Sequence, residues 1–186
     1  GAASASEGCQ QAQQGLVLPH LDRPLARLSP HPAQSDDGEE TSFIPPHERA
    51  LARALGLPAE DGRIPWAAWH RHQQGLSAGE EAWAFVTPCH WQVRTDHVTL
   101  RDPEQLGLHE SASRALLAIV APWFAEDGIT LHYDQPTRWL ASGPLFTNLA
   151  TASLERVLLR DVRAWMPDAK QARTLHRLHS EMQMLL

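Results

Sequence analysis

One stretch near the middle of the chain changes its hydrophobic period at a single glycine, and this change restricts the fold most. Over residues 110–126 apolar side chains recur at helical spacing, and Gly128 follows as a helix stop. Residues 129–134 then alternate strictly between apolar and polar, which is typical of a strand with one buried face. The turn residues Asp-Gln-Pro-Thr come next, and residues 138–141 are expected to return as the hairpin partner. This order predicts a helix packed against an antiparallel hairpin.

The preceding segments add further strands to this kernel. A short alternating strand is predicted over residues 83–86 and is ended by Pro88. Residues 91–93 and 97–100 predict a second strand or a broken hairpin. The order is therefore strand, helix, strand, hairpin, and we predict an α+β fold with a small, mostly antiparallel sheet and helices packed on one face. Pro122 lies inside the predicted helix and indicates a kink or a one-turn break.

Both ends of the chain are predicted to be helical. Residues 1–80 form a mostly helical N-terminal segment, interrupted at about 29–46 by a flexible loop that holds four prolines and four acidic residues. Residues 81–186 hold the α+β core and two C-terminal helices, and the two parts are expected to form one compact unit. Short helices are predicted near 7–14, 21–28, 47–55 and 66–73, and the C-terminal helices are predicted to start at Ser153, continuing through Trp165, and at Asp168.

Composition limits the partners of the chain. With 186 residues and a formal charge of −6, it lacks the basic character of a nucleic-acid-binding domain. It has neither an apolar run of the ~20 residues needed to span a bilayer nor a recognisable signal peptide. Cys9 and Cys89 lie far apart and are expected to be free thiols in the cytoplasm. We expect no nucleic acid and no membrane as partners; a small ligand, a protein partner and a homodimer stay open.

The candidate ligand-binding side chains are aromatic rings, imidazoles, a thiol and a guanidinium on or beside the predicted strands. They are Trp91, His97, His132, Trp139, Arg138, Cys89 and His90. If His97 and His132 project to the same sheet face, they can meet across it. Trp91 and Trp139 would then complete an aromatic–imidazole pocket. The alternative is that these residues form ordinary cross-strand pairs facing solvent.

The sequence lacks the motifs of most kinds of catalytic site. Cys89 is the one candidate nucleophile; His90 next to it points away, so His97 or His132 would have to serve as its base. The alternative is a buried structural thiol. The chain has no HExxH, CxxC, GxSxG, GxxxxGK[ST] or GxGxxG pattern. We therefore predict no catalytic residues, no metal and no cofactor.

Long stretches of the chain carry a family resemblance. They are PPHERALARALGL at 45–57, IPWAAW at 64–69, WAFVTPCHWQV at 83–93, DHVTL at 96–100, APWFAEDGITLHYDQPTRWLA at 121–141, ATASLERVL at 150–158 and SEMQMLL at 180–186. On these residues the chain resembles a proteobacterial family labelled either phosphoglycerate-mutase-like, of the cofactor-independent type, or Rpf-type regulatory. The resemblance also implies that family members continue beyond both ends of this sequence.

The resemblance implies a function only in part. Mutases of that type use two metal ions, a Ser or Thr nucleophile and Asp/His ligands that include Asp-His-Gly. Here Asp96-His97 is followed by Val98, so no metal-ligand role is carried over. The expected function is a non-catalytic regulatory or small-ligand-binding protein similar to part of a mutase-like protein. The alternatives are an enzyme acting on phosphorylated or acidic metabolites, using residues of the candidate set, and a protein-interaction module.

Overall fold

The computed structural model describes residues 41–167 and 169–183, together with the single positions 20 and 27. These two ranges belong to one unit that begins at Glu40. Among the described residues, no helix has the length and apolar character needed to cross a membrane. Several predictions fall outside the described residues: the helices near 7–14 and 21–28, most of the loop at 29–46 and the cap at Asp168.

The described residues form five α-helices, three short 3₁₀ helices and five strands. The α-helices are α1 (Pro46–Ala54), α2 (Trp66–Gln73), α3 (Glu110–Glu126), α4 (Leu154–Val157) and α5 (Ala169–Gln183), and short 3₁₀ helices cover Pro103–Leu106, Pro144–Phe146 and Val162–Trp165. The strands are β1 (Trp83–Val86), β2 (Trp91–Val93), β3 (Val98–Leu100), β4 (Thr130–Gln135) and β5 (Arg138–Ser142). The predicted α+β class is confirmed.

Two small antiparallel sheets divide the strands. The larger sheet has the order β1-β5-β4, and β2 pairs with β3 in a separate hairpin. In the larger sheet Trp139 lies opposite Tyr133 and Val86, whereas Leu140 lies opposite His132 and Phe85. Because neighbouring side chains on a strand point to opposite faces, Trp139 and His132 lie on different faces of this sheet.

The face that carries Trp139 packs on the main hydrophobic core. Helix α3 and helix α5 cover it, and the most deeply buried members of the core are Val120, Phe124, Ile129, Trp139, Ala141 and Leu178. Trp139 Nε1 donates to Ser113 Oγ at 2.9 Å, and Ser113 Oγ donates to the Pro136 carbonyl oxygen at 2.8 Å. The indole N–H therefore keeps a partner although the ring is 1% exposed.

Helix α3 runs without interruption through Pro122, so the predicted one-turn break is wrong. Proline lacks the N–H that would bond to the carbonyl oxygen of Ala118, four residues earlier. Both residues lie on the exposed side of the helix. Solvent can reach that carbonyl, which makes the lost hydrogen bond less costly than it would be in the core.

The helix predicted from Ser153 through Trp165 is also wrong, because it stops after one turn. Leu159 has a left-handed φ of 59°, and its N–H donates to the carbonyl oxygen of Leu100 at 3.1 Å. Leu158 forms an isolated β-bridge with the same residue. Pairing with the edge of β3 therefore overrides the helical pattern. Ser153 occupies the N-cap position of α4, but its side chain accepts no hydrogen bond from the helix.

Candidate functional site

The sheet face opposite the core carries a cluster of polar and aromatic side chains, and helix α2 lies against it. Strands β1, β4 and β5 contribute Trp83, Phe85, His132, Asp134 and Arg138; α2 contributes His70 and Arg71, and Gln74 directly follows α2. We call these eight residues the α2 face. The helix presents them together because His70 and Gln74 are one turn apart, and the strands do so because alternate residues share a face.

Asp134 is the centre of hydrogen bonding on the α2 face. Its side chain is only 7% exposed. It accepts hydrogen bonds from Arg138 Nε at 2.8 Å and Gln74 Nε2 at 3.0 Å, and its Oδ1 lies 3.2 Å from His70 Nε2. Burial raises the pKa of Asp134, but the three hydrogen bonds outweigh burial and the pKa falls below its ordinary 3.8. The carboxylate is thus ionised at neutral pH and ties α2 to both strands of the β4–β5 hairpin.

Arg71 and His132 lie beside Trp83 on the same face. The Arg71 guanidinium carbon is 3.9 Å from the centre of the Trp83 ring, and the His132 ring centre is 5.1 Å from it. Burial, followed by the charge of Arg71, lowers the pKa of His132 below its ordinary 6.5, and Glu81 opposes this shift. At neutral pH His132 is therefore mainly an uncharged imidazole next to a fixed positive charge.

Arg71 keeps its charge available. One guanidinium N–H donates to the carbonyl oxygen of Ser77 at 3.2 Å. Arg71 forms no ion pair with any residue that the structure describes. The Arg138 guanidinium, by contrast, is paired with Asp134. Arg138 thus forms an ion pair with a carboxylate of the α2 face, whereas Arg71 forms none with a described residue.

Phe85 provides an accessible apolar surface between these groups. It is 37% exposed, although its strand pairs with the core strand β5. Its ring centre lies 5.7 Å from the His70 ring and 5.2 Å from the Arg138 guanidinium carbon. The α2 face therefore combines an exposed ring with hydrogen-bond donors at its border.

Only part of the predicted candidate set meets at this face. His132 and Arg138 belong to it, but Trp139 projects from the opposite side of the sheet into the core. Trp91 and His97 belong to the separate β2–β3 hairpin. The predicted pocket shared by His132, Trp139, Trp91 and His97 is therefore wrong. His132 and Trp139 lie on opposite faces of the larger sheet, and Trp91 and His97 belong to a different sheet.

The remaining candidates lie on or next to the β2–β3 hairpin. His97 Nδ1 is 2.7 Å from Asp96 Oδ1, and His90 is exposed. Cys89 packs beside Trp91 against a small core formed by residues of β3 and the C-terminal segment. Burial raises the pKa of the Cys89 thiol to about 11, although a hydrogen bond with Trp91 opposes this. A thiol that stays protonated at neutral pH has the properties of the structural alternative.

Several residues of the α2 face are not in the predicted set. They are His70, Arg71, Gln74, Trp83, Phe85 and Asp134. The local signals are present: His70 and Gln74 have helical i,i+4 spacing, and His132 and Asp134 alternate on one strand. What the sequence does not indicate is that helix α2 lies against this strand.

A cleft lies beside the turn between β4 and β5. Its volume is about 340 Å³, and Glu104, His109 and residues 135–137 contribute to its lining. Thr137 Oγ1 donates to Glu104 Oε1 across it at 3.0 Å. The cleft contains none of the predicted candidate residues, and its best-placed carboxylate already has a partner.

Comparisons with known proteins find no relative of this chain. No family model matches the chain, and neither the curated proteins nor the solved structures contain a significant match. The resemblance to a phosphoglycerate-mutase-like or Rpf-type family stays a prediction. Function is therefore argued from the geometry of the α2 face.

Proposed function

We propose that the chain is a non-catalytic cytoplasmic protein that binds a small anionic ligand with a planar apolar part at the α2 face. The observation that carries this proposal is the position of Arg71. Its guanidinium lies against Trp83, beside His132, and forms no ion pair with a carboxylate of the described residues. A ligand anion would supply the missing negative charge.

The aromatic ring beside Arg71 supports binding by reducing the freedom of its long side chain. Packing over Trp83 limits the rotamers of Arg71, so less conformational entropy is lost when an anion binds. The imidazole of His132 lies close enough to add a second donor. The exposed ring of Phe85 offers a surface for the apolar part of the ligand.

The hydrogen bonds of Asp134 favour a binding role over general base catalysis. A general base must offer a free acceptor atom within hydrogen-bond reach of the substrate proton that it removes. The Asp134 carboxylate already accepts bonds from three side chains and is 7% exposed. Its role here is to fix His70, Gln74 and Arg138 in place.

The predicted family resemblance supports the anionic part of this proposal, although not the planar apolar part. It implies that this chain is similar to part of a protein acting on phosphorylated three-carbon acids. Such acids carry the negative charge that Arg71 and His132 are suited to bind. We therefore include 3-phosphoglycerate among the test compounds, alongside simpler probes that separate charge from ring contact.

Three small probes test the proposal directly. Benzenesulfonate carries a ring and a permanent negative charge, benzenesulfonamide keeps the ring without the charge, and methanesulfonate keeps the charge without the ring. Amide chemical shifts of ¹⁵N-labelled protein report where each binds. We expect benzenesulfonate to bind at the α2 face with a Kd of about 1 to 10 mM, as suits a ten-atom ligand. Both other probes should bind more weakly.

Matched arginine variants identify the site. Arg71→Gln should weaken benzenesulfonate binding about tenfold, whereas Arg114→Gln should leave it unchanged. Arg114 is a suitable control because it also packs over an aromatic ring, at 3.7 Å from Tyr133, but on α3. Arg71→Lys tests whether charge alone suffices. Equal binding of all three probes, or equal effects of the two glutamine variants, would refute the proposal.

A further inference from the structure

A second cluster of side chains lies outside the α2 face, where the first turns of α1 and α4 meet. His47 and Glu48 belong to α1, and Glu155 belongs to α4. His47 Nε2 lies 3.1 Å from Glu155 Oε2, and one ligand atom from each of the three residues lies within 4.8 Å of the other two. We propose that His47, Glu48 and Glu155 bind a divalent transition-metal ion of the Zn²⁺ type.

The spacing of these atoms suits a single ion. Imidazole nitrogen and carboxylate oxygen lie about 2.0 to 2.2 Å from Zn²⁺, so two ligand atoms on one ion are about 3.0 to 3.6 Å apart. The 3.1 Å between His47 Nε2 and Glu155 Oε2 already lies in this interval. Glu48 offers a carboxylate oxygen within 4.8 Å of both atoms, and it must move closer to them to join the same ion.

Trp66 holds the Glu48 carboxylate in position. Trp66 Nε1 donates to Glu48 Oε2 at 3.2 Å, and the Trp66 ring packs against the buried cluster that contains Ile44 and Ala52. This hydrogen bond leaves the other carboxylate oxygen to face an ion. Metal-binding carboxylates commonly have such an outer hydrogen bond, which orients the ligand and raises affinity.

Backbone hydrogen bonds fix the two helix starts relative to each other. The N–H of Ser153, just before α4, donates to the carbonyl oxygen of Phe43 at 3.0 Å, and that of Thr151 donates to Gly62 at 2.9 Å. On the other side, the Asp61 carboxylate accepts from the N–H groups of Phe43 and Ile44. The three ligands are therefore brought together by the fold itself, which lowers the entropic cost of binding an ion.

The types of ligand indicate the class of metal. One imidazole with two carboxylates suits Zn²⁺, Co²⁺, Mn²⁺ or Fe²⁺, whereas Mg²⁺ and Ca²⁺ prefer sites made only of oxygen ligands. The side chains of His47 and Glu155 are 53% and 66% exposed. Water can therefore complete the coordination. The carboxylates of Glu48 and Glu155 lie close to each other and to His47, and a divalent cation would balance both negative charges.

The experiment uses the full chain without a histidine tag and Zn²⁺ or Co²⁺ as the probe. Calorimetric titration with Zn²⁺ measures stoichiometry and affinity, and Co²⁺ gives visible absorption bands that report coordination by the protein. We expect one ion per chain, and we expect His47→Ala and Glu155→Gln each to weaken its binding about tenfold or more. Trp66→Phe, which removes only the outer hydrogen bond, should weaken it by about tenfold.

Two control variants separate this site from general binding to surface histidines. His72→Ala removes an exposed histidine of α2, and Glu60→Gln removes an exposed carboxylate that pairs with Arg63. Neither should change the Zn²⁺ affinity. Circular dichroism checks that all variants are folded. An absence of Zn²⁺ and Co²⁺ binding would overturn the proposal, and so would binding that His47→Ala and Glu155→Gln leave unchanged. Neither outcome bears on the ligand proposed for the α2 face.

Discussion

Replacing Asp134 should measure how strongly the α2 face holds helix α2 to the sheet. Each hydrogen bond to a charged group contributes about 1.5 to 3 kcal/mol, and Asp134 accepts three. The sum overstates the effect, because the side chains of His70 and Arg138 are 24% and 34% exposed and can turn to water. Replacing Asp134 also removes the free-energy cost of burying a carboxylate away from water. We therefore expect Asp134→Ala to lower the free energy of unfolding by about 2 to 4 kcal/mol, and Asp134→Asn by about 1 to 2 kcal/mol.

The pH dependence of this effect has a definite sign. In the folded state the pKa of Asp134 lies below 3.8, because its hydrogen bonds outweigh the burial that raises it. The charge therefore stabilises the fold above the unfolded pKa, and this stabilisation is lost as pH falls through the folded pKa. Urea unfolding of wild type and Asp134→Asn should differ fully at pH 7 and converge as pH falls through the folded pKa of Asp134, which lies below 3.8.

A matched variant shows whether the effect comes from burial. Asp96→Asn removes a carboxylate that is 81% exposed and also lies beside a histidine, so it should cost less than about 0.5 kcal/mol. In a thermal melt Asp134→Ala should lower Tm by about 4 to 16 °C, since about 1 kcal/mol corresponds to 2–4 °C at this chain length. Equal effects of the Asp134 and Asp96 variants, or an Asp134→Asn effect that persists at low pH, would refute the reasoning.

Three further predictions concern the main core and the Cys89 thiol beside the β2–β3 hairpin. Ser113→Ala removes the acceptor of the Trp139 indole N–H in the core, so urea unfolding should show a loss of about 1 to 3 kcal/mol; a loss below about 0.5 would mean that the indole finds another partner. Leu178 is 1% exposed, so Leu178→Ala should lower the free energy of unfolding by about 2 to 5 kcal/mol through lost contacts and a cavity. Leu159 is 70% exposed, and Leu159→Ala should lower it little. Similar losses for the two variants would contradict the packing of α5. The Cys89 thiol should react slowly with a disulfide reagent at neutral pH and faster only as pH approaches about 11, and fast labelling of the native protein at pH 7 would contradict its burial.

The kernel of the fold is predictable because local pattern and tertiary packing agree there. Residues 110–126 form α3 with the predicted apolar face toward the core, and Gly128 follows with a φ of 72°. Hairpin β4–β5 has its predicted turn, and α2 has its predicted bounds. In these segments the residues that favour the local structure are also those that the core buries.

The errors arise where long-range pairing decides the structure. The segment after Ser153 has a helical pattern, yet bridges to Thr99 and Leu100 of β3 interrupt it. The hairpin of β2 and β3 has a strand pattern, but that pattern does not state which sheet a strand joins. Assigning His97 and His132 to one sheet therefore produced a pocket that the structure does not contain.

The two proposed sites illustrate the same limit. His70 and Asp134 are 64 residues apart, and the residues of the proposed metal site come from α1 and α4, at opposite ends of the described chain. Neither group has the fixed spacing of a motif such as HExxH. Spacing motifs reveal only sites whose ligands share one element, whereas these sites depend on which elements pack together.

Ligand binding at the α2 face should depend on pH through His132. Burial and Arg71 lower the pKa of His132 below 6.5, so its ring is mainly neutral at pH 7. A bound anion favours the protonated ring, and benzenesulfonate keeps its charge throughout this interval. Its affinity should therefore increase as pH falls from about 7.5 to 5.5, by at most about tenfold per unit because one proton is taken up. His132→Asn should remove this dependence. An affinity that is constant with pH, or a dependence that persists in His132→Asn, would place the anion away from His132.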